Sequence, residues 1–160
     1  QAEPFRSLID PDDPSFIHPG DMPAVIRSYC QRIDESAPES PGQVVRCVLE
    51  SLALRYRWVL ECLEGVVGRR MEVIRIVGGG SQNRLLNQFT ADACGRPVVA
   101  GPVEATALGN VMLQAIATGH LDDVEAGRQA IADSFPRQTF TPRSGEAWRA
   151  AYERWQKLIG

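Results

Sequence analysis

Lysine is what this chain lacks most: its 160 residues contain one, Lys157, beside two histidines, and the formal net charge is −3. A nucleic-acid surface needs clustered Lys and Arg to neutralise phosphates, and here the arginines are scattered, so no nucleic-acid partner is expected. The four cysteines, Cys30, Cys47, Cys62 and Cys94, include no C-x-x-C pair. His18 and His120 sit beside proline and glycine in loops without a paired cysteine or carboxylate. Neither a zinc site nor a redox dithiol is therefore encoded locally. Buried or incidental thiols in a reducing cytosol are expected, with a Cys30–Cys47 disulfide left open as a geometric option. No apolar run approaches the roughly 20 residues that span a bilayer, and the N-terminus Q-A-E-P-F-R has no apolar signal region. The expectation is a cytoplasmic protein without a membrane partner. The chain starts at Gln1 rather than methionine, and its first strongly periodic element begins only near Ser40, which suggests a piece of a longer protein.

What is present supports one hydrophobic core, since 44% of the residues are apolar. Seven of the eleven prolines lie in residues 1–42, which therefore read as a connecting segment with one short helix over 21–32, carrying Met22, Val25, Ile26 and Tyr29 at helical spacing. The acidic residues Asp10, Asp12, Asp13 and Asp21 read as a solvated, proline-punctuated stretch. Ser40-Pro41-Gly42-Gln43 is a capping box with proline at the first helical position. It opens a long amphipathic helix whose apolar face is read as Val44, Val45, Val48, Leu49, Leu52, Tyr56, Val59, Leu60 and Leu63, with Gly65 and Gly68 as its stop. Residues 71–77 are rich in β-branched side chains and predict a strand. A helix with Leu85, Leu86, Phe89 and Ala93 follows until Gly95, then a short strand over 97–100. Another helix is capped by Thr106 and stopped by Gly119. Two more close the chain, over 122–134, with Asp122 and Glu125 as a capping box, and over 144–159. The last carries Trp148, Ala151, Tyr152, Trp155 and Ile159 on one face, which packing explains.

The order helix, strand, helix, strand, helix predicts parallel pairing in an α/β fold. Two strands make a meagre sheet, so either further strands precede Gln1 or the proline-rich segment supplies an irregular cover. Residues 43–121 form the α/β core in this reading, and 122–160 add helices to the same domain.

The first strand empties into Gly78-Gly79-Gly80-Ser81. Glycine permits positive φ and close backbone approach, which suits a nucleotide or phosphate, but the same run can simply turn the chain. It is not a Walker loop, lacking the Gly-Lys-Ser/Thr ending. It also fails G-x-G-x-x-G, because Arg84 and Leu85 stand where glycine is needed. Ligand loop and structural turn both remain open on this chemistry.

Residues 74–119, I-R-I-V-G-G-G-S-Q-N-R-L-L-N-Q-F-T-A-D-A-C-G-R-P-V-V-A-G-P-V-E-A-T-A-L-G-N-V-M-L-Q-A-I-A-T-G, closely resemble the C-terminal domain of FGGY-family carbohydrate kinases. L-I-D-P-D-D-P-S-F at 8–16 and V-L-E-S-L-A-L-R-Y-R at 48–57 are similar to members of the same family. The resemblance implies part of a ribonuclease-H-like lobe of the actin/hexokinase ATPase type, paired with an N-terminal kinase lobe. It also implies ATP and Mg2+ as cofactors and transfer of phosphate to a ketose, L-rhamnulose first and L-fuculose or another ketose next. It makes Gly78, Gly79, Gly80 and Ser81 the loop that approaches ATP, and sets Gln82 and Asn83 beside the adenosine, the Asn83 amide being able to offer donor and acceptor to an adenine edge. Residues 104–109, from Glu104 to Gly109, match a second family segment, where a helix starts near the nucleotide cleft. Gly109 is read there as a close-packing residue, and Glu104 as a helix-start carboxylate without a catalytic role. The family's catalytic aspartate, sugar contacts, phosphate-gripping loop and metal ligands correspond to nothing in this sequence. No catalytic or metal residue is therefore assigned, and the chain alone is expected to be inactive. The competing readings are a non-catalytic nucleotide-binding module and a purely structural one.

Overall fold

The computed structural model describes residues 2–18, 20–143 and 145–160. Its first helix, α1 (Met22–Arg32), starts where the Asp21 carboxylate accepts the Ala24 N–H. The long α2 (Pro41–Val67) opens on the expected capping box: Ser40 Oγ accepts from Gln43 N at 3.3 Å, and Gln43 Oε1 accepts from Ser40 N at 3.0 Å. It passes through Gly65 and stops at Gly68, whose φ of 69° lies in the left-handed region. Strand β1 (Ile74–Ile76) leads into a 3-10 turn, Gly79–Gln82, and then α3 (Arg84–Cys94). Strand β2 (Val98–Ala100) lies parallel to β1, with Ile74, Arg75 and Ile76 opposite Val98, Val99 and Ala100. Helices α4 (Ala105–Ala117) and α5 (Val124–Ser134) precede β3 (Gln138–Phe140), and α6 (Glu146–Ile159) ends the chain.

The third strand is the main addition to the expected order. It joins the open edge of β2 in antiparallel sense, giving the sheet order β1-β2-β3. The meagre sheet is thus extended from the connection between the last two helices. Two local boundaries also differ from expectation. Glu104, not Thr106, stands at the start of α4, and it makes no side-chain capping bond. Asp123 rather than Asp122 caps α5, accepting from Ala126 N at 2.8 Å. The expected start of the last helix, Ser144, lies outside the described residues.

The core is built where α2, α3 and α6 meet the N-terminal segment, with Leu8, Leu49, Leu54, Phe89, Trp148, Tyr152 and Trp155 buried together. The Trp155 indole donates to the Ile9 carbonyl at 2.7 Å, and the Phe5 ring meets Trp148 edge-on at 4.7 Å. The proline-rich segment is thereby fastened across the helices rather than over the sheet. A second cluster holds Ile9, Ile26, Tyr29, Cys30 and Cys47, and a third joins Ala91 to Val98, Ala100 and Phe140 of the sheet.

The inward face of α2 is not the stripe its periodicity suggested. Val45, Tyr56, Val59 and Leu63 are exposed, while Cys47, Leu49, Glu50, Ser51, Ala53 and Leu54 are buried. The reason is polar: Glu50 accepts the Phe5 N–H at 2.8 Å and Ser51 Oγ accepts the Ile9 N–H at 3.0 Å. Two polar residues face inward because they satisfy the backbone of the crossing segment.

Cys30, Cys47 and Cys94 are buried free thiols and Cys62 is an exposed one, so the optional Cys30–Cys47 disulfide is not formed. Burial pushes the Cys94 thiol up to about 12. Among the described residues no helix is long and apolar enough to cross a membrane.

Candidate functional site

The glycine loop begins where β1 and β2 leave the sheet together. Gly101 N donates to the Ile76 carbonyl at 2.8 Å and Gly78 N donates to the Pro102 carbonyl at 3.1 Å, so the loop is tied to the segment that leads into α4. Gly78 adopts φ 78°, ψ −165°, a conformation that is essentially glycine's alone. Its carbonyl then accepts twice, from Ser81 N at 3.0 Å and from Ser81 Oγ at 2.7 Å. Asn83 N donates to the Gly80 carbonyl at 3.2 Å, and Asn83 Oδ1 accepts from Leu86 N at 3.0 Å as the N-cap of α3.

The three glycines therefore answer to different demands. Gly78 is required by its backbone. Gly79 and Gly80 have no positive φ, and a Cβ on Gly79 would meet nothing within 4 Å, while one on Gly80 would make only an ordinary 3.9 Å contact with Ile76. The packing of this chain leaves both positions free to carry a side chain. Both are exposed, and no described residue accepts a hydrogen bond from their N–H groups.

All six sequence-selected residues, Gly78 to Asn83, form one continuous turn. Gln82 and Asn83 are exposed, whereas Ser81 is buried with its hydroxyl directed to Gly78. The second family segment adjoins the turn, since a Cβ on Gly78 would lie 3.9 Å from the carbonyl oxygen of Val103. Gly109 shares the signature of Gly79: a Cβ there meets nothing within 4 Å, so no described neighbour requires its small size and the expected close packing is not seen.

Beneath the turn lies a residue that sequence reading passed over. Asn87 is fully buried, and its Nδ2 donates to the Ser81 carbonyl at 2.9 Å. Its only sequence signal is an amide placed one helical turn after Asn83 on the face that also carries Thr90 and Ala91. A related clamp holds the far end of α3, where Gln88 Nε2 donates to Asp92 and to the Thr141 carbonyl, both at 2.9 Å, and Asp92 accepts from Arg143 N at 2.8 Å.

A cleft of about 580 Å³ runs beside the loop from Val77 and Pro102 to Phe135, with Arg75, Arg128 and Arg137 on its walls. The acidic N-terminal residues lie elsewhere, where they cap a turn and pair with arginines of α1 and α2. Asp13 caps a 3-10 turn, Pro14–Phe16, and pairs with Arg32 at 3.0 Å; hydrogen bonds from Ser15 first, and Arg32 next, hold its carboxyl below the usual range. Asp12 pairs with Arg55. His120 is exposed, with Nδ1 at 2.9 Å from Thr118 Oγ1. Among the described residues no group of three or more His, Cys, Asp or Glu side chains stands together as a ligand set for a metal ion.

The chain is 54% identical over 158 residues to a rhamnulokinase from Bacteroides thetaiotaomicron, which covers 99% of this chain and 33% of that protein. It is 46% identical to a rhamnulokinase from Enterococcus faecalis over 88% of this chain and 29% of that one. It spans about a third of the length of these curated relatives. A solved glycerol kinase from Plasmodium falciparum, determined with ADP, superposes with a TM-score of 0.61 at 20% identity, covering 73% of this chain and 23% of that structure. That likeness bears out the actin/hexokinase-type fold. With the family model for the FGGY carbohydrate kinase C-terminal domain matching residues 1–118, the chain belongs to the FGGY family of carbohydrate kinases.

Proposed function

We propose that residues 78–83 form the adenosine-side wall of the nucleotide site in an ATP-dependent carbohydrate kinase whose acceptor is a ketose, with L-rhamnulose favoured. In that reaction a sugar hydroxyl attacks the γ-phosphorus. The new O–P bond forms as the bond to the β-phosphate oxygen breaks, ADP leaves, and the hydroxyl proton passes to a base. This chain contributes the nucleotide wall, and the base and phosphoryl-gripping groups belong to the partner lobe of the same enzyme. ATP, a ketose and that N-terminal lobe are its partners, and the cytoplasm is its compartment. Residues 43–121 act as the nucleotide-side core, 1–42 as the segment fastened to it, and 122–160 as helices and the edge strand β3 added to the same domain.

The observation that carries this reading is the mismatch between glycine and need at Gly79 and Gly80. Neither has a positive φ, and an added Cβ would meet no obstacle. Glycine nevertheless loses more conformational entropy on folding than any other residue. A ligand backed closely against the loop supplies the missing reason. The names of the rhamnulokinase relatives support the substrate, and the ADP of the glycerol kinase supports the nucleotide.

The structural-turn reading draws on Asn83, whose Oδ1 already caps α3. Titration calorimetry with a non-hydrolysable ATP analogue separates the two, using the intact protein and its Gly79→Val variant. Binding is expected to weaken about tenfold or more, roughly 1.4 kcal/mol, with an unchanged melting temperature. Unchanged affinity would leave the loop a turn.

A further inference from the structure

One buried amide stands directly beneath the loop. The Asn87 side chain has no exposed surface, Nδ2 donates to the Ser81 carbonyl at 2.9 Å, and Asn87 N donates to the Asn83 carbonyl at 2.9 Å. Ser81, itself buried, passes the restraint on, since both its N–H and its hydroxyl donate to the Gly78 carbonyl. Meanwhile Asn87 Oδ1 is buried and receives no hydrogen bond from any described protein group. A buried acceptor in that state is unfavourable for folding, and an apolar side chain of similar size would avoid it. The amide is therefore not the best residue for packing α3, and what distinguishes it from leucine is the bond it gives to Ser81.

We infer that Asn87 is a positioning residue for the glycine loop: through the Ser81 carbonyl and the Ser81 hydroxyl it fixes the Gly78 turn, and so sets where the exposed Gly79 and Gly80 backbone meets the nucleotide. It touches no ligand itself. The inference rests on the adenosine-wall reading for its functional consequence, but the mechanical link from Asn87 to the loop stands apart from it. Preorganised backbone donors lose their value when the backbone holding them is free to move, and displacements of about 1 Å at a site are felt in binding and rate.

The test uses the intact protein with Asn87→Leu and Asn87→Asp. Asn87→Leu removes the donor together with the unpaired acceptor. Amide hydrogen exchange at Ser81 and Asn83 is expected to accelerate at least about tenfold, the KM for ATP to rise about five- to tenfold, and the KM for the sugar to stay the same, with little change in thermal stability because the unpaired Asn87 Oδ1 is exchanged for an unpaired Ser81 carbonyl. Asn87→Asp keeps the shape. Its protonated carboxyl can still donate to Ser81 and its ionised form cannot, so its KM for ATP should rise with pH while the wild type stays flat. That profile serves should Asn87→Leu fail to fold.

Unchanged loop exchange in Asn87→Leu overturns the inference. So does faster exchange with an unchanged KM for ATP, provided that Gly79→Val weakens ATP binding. If Gly79→Val also leaves ATP binding unchanged, the adenosine-wall reading fails, and the positioning inference loses its function with it.

Discussion

Glu50 shows how one side chain can decide which way a helix faces. It is 1% exposed, yet it carries a carboxylate that accepts the Phe5 N–H at 2.8 Å and pairs with Arg46 Nε at 2.7 Å, one helical turn away. Burial is the largest influence on its protonation and pushes its pKa up, against the opposing hydrogen bond from Phe5 and the Arg46 charge. The folded chain therefore holds this proton more tightly than the unfolded chain does. Its contribution to stability is fullest below the ordinary glutamate value of 4.5 and declines as pH rises through the shifted one. Thermal melts of wild type and Glu50→Gln between pH 4 and pH 7 should show this, with the variant losing that part of the pH slope. Equal slopes would mean that Glu50 is solvated in the folded protein. No apolar periodicity could have reported this residue, because its partner is a backbone N–H 45 positions earlier in the chain.

At the scale of elements, legibility follows the range of the interactions that define each one. The capping box at Ser40 and the glycine stops at Gly68 and Gly95 were readable because each is settled within four residues. Strand β3 was not: Gln138 and Thr139 are exposed, only Phe140 is buried, and the segment is a strand because the edge of β2 accepts it. The α2 face failed for the reason Glu50 illustrates. Helices α4 and α5 present the opposite case, where a correct helix has little to pack on. Apolar α4 has no buried residue, Val111 and Leu113 being 64% and 56% exposed, and α5 buries only Gly127, against Met112. In α3, by contrast, residues from Asn87 to Cys94 are buried almost without a break. Local stability tracks such burial. Amide exchange in the isolated chain should therefore be fastest by at least about tenfold in α4 and α5 and slowest in α3 and the middle of α2. Uniform protection across the helices would show that α4 is held by contacts other than those of the described residues.

For the whole molecule, the chemistry near the loop sets what this chain can do alone. Transfer of a phosphoryl group needs a base within hydrogen-bond reach of the accepting hydroxyl, donors around the moving phosphoryl group and compensation of its charge. The turn at 78–83 and the approach to α4 offer backbone N–H groups, the amides of Gln82 and Asn83, and one carboxylate, Glu104, at a helix start where the dipole already stabilises it. The glycine loop was legible from its own residues, but its assignment to a kinase came from resemblance, because the residue types of the strand, turn and helix suit a nucleotide wall and a tight turn equally. On the proposed reading the loop is one wall of a cleft, and one wall holds a ligand weakly because most of the surface that would bury it lies on the opposite side. The purified 160-residue chain should accordingly give no ketose-dependent ADP release above background in a coupled assay, and at most weak binding of an ATP analogue by calorimetry. A substantial ketose-dependent rate would require a base, phosphoryl donors and charge compensation within these residues, and would overturn the division of labour between this wall and its partner lobe.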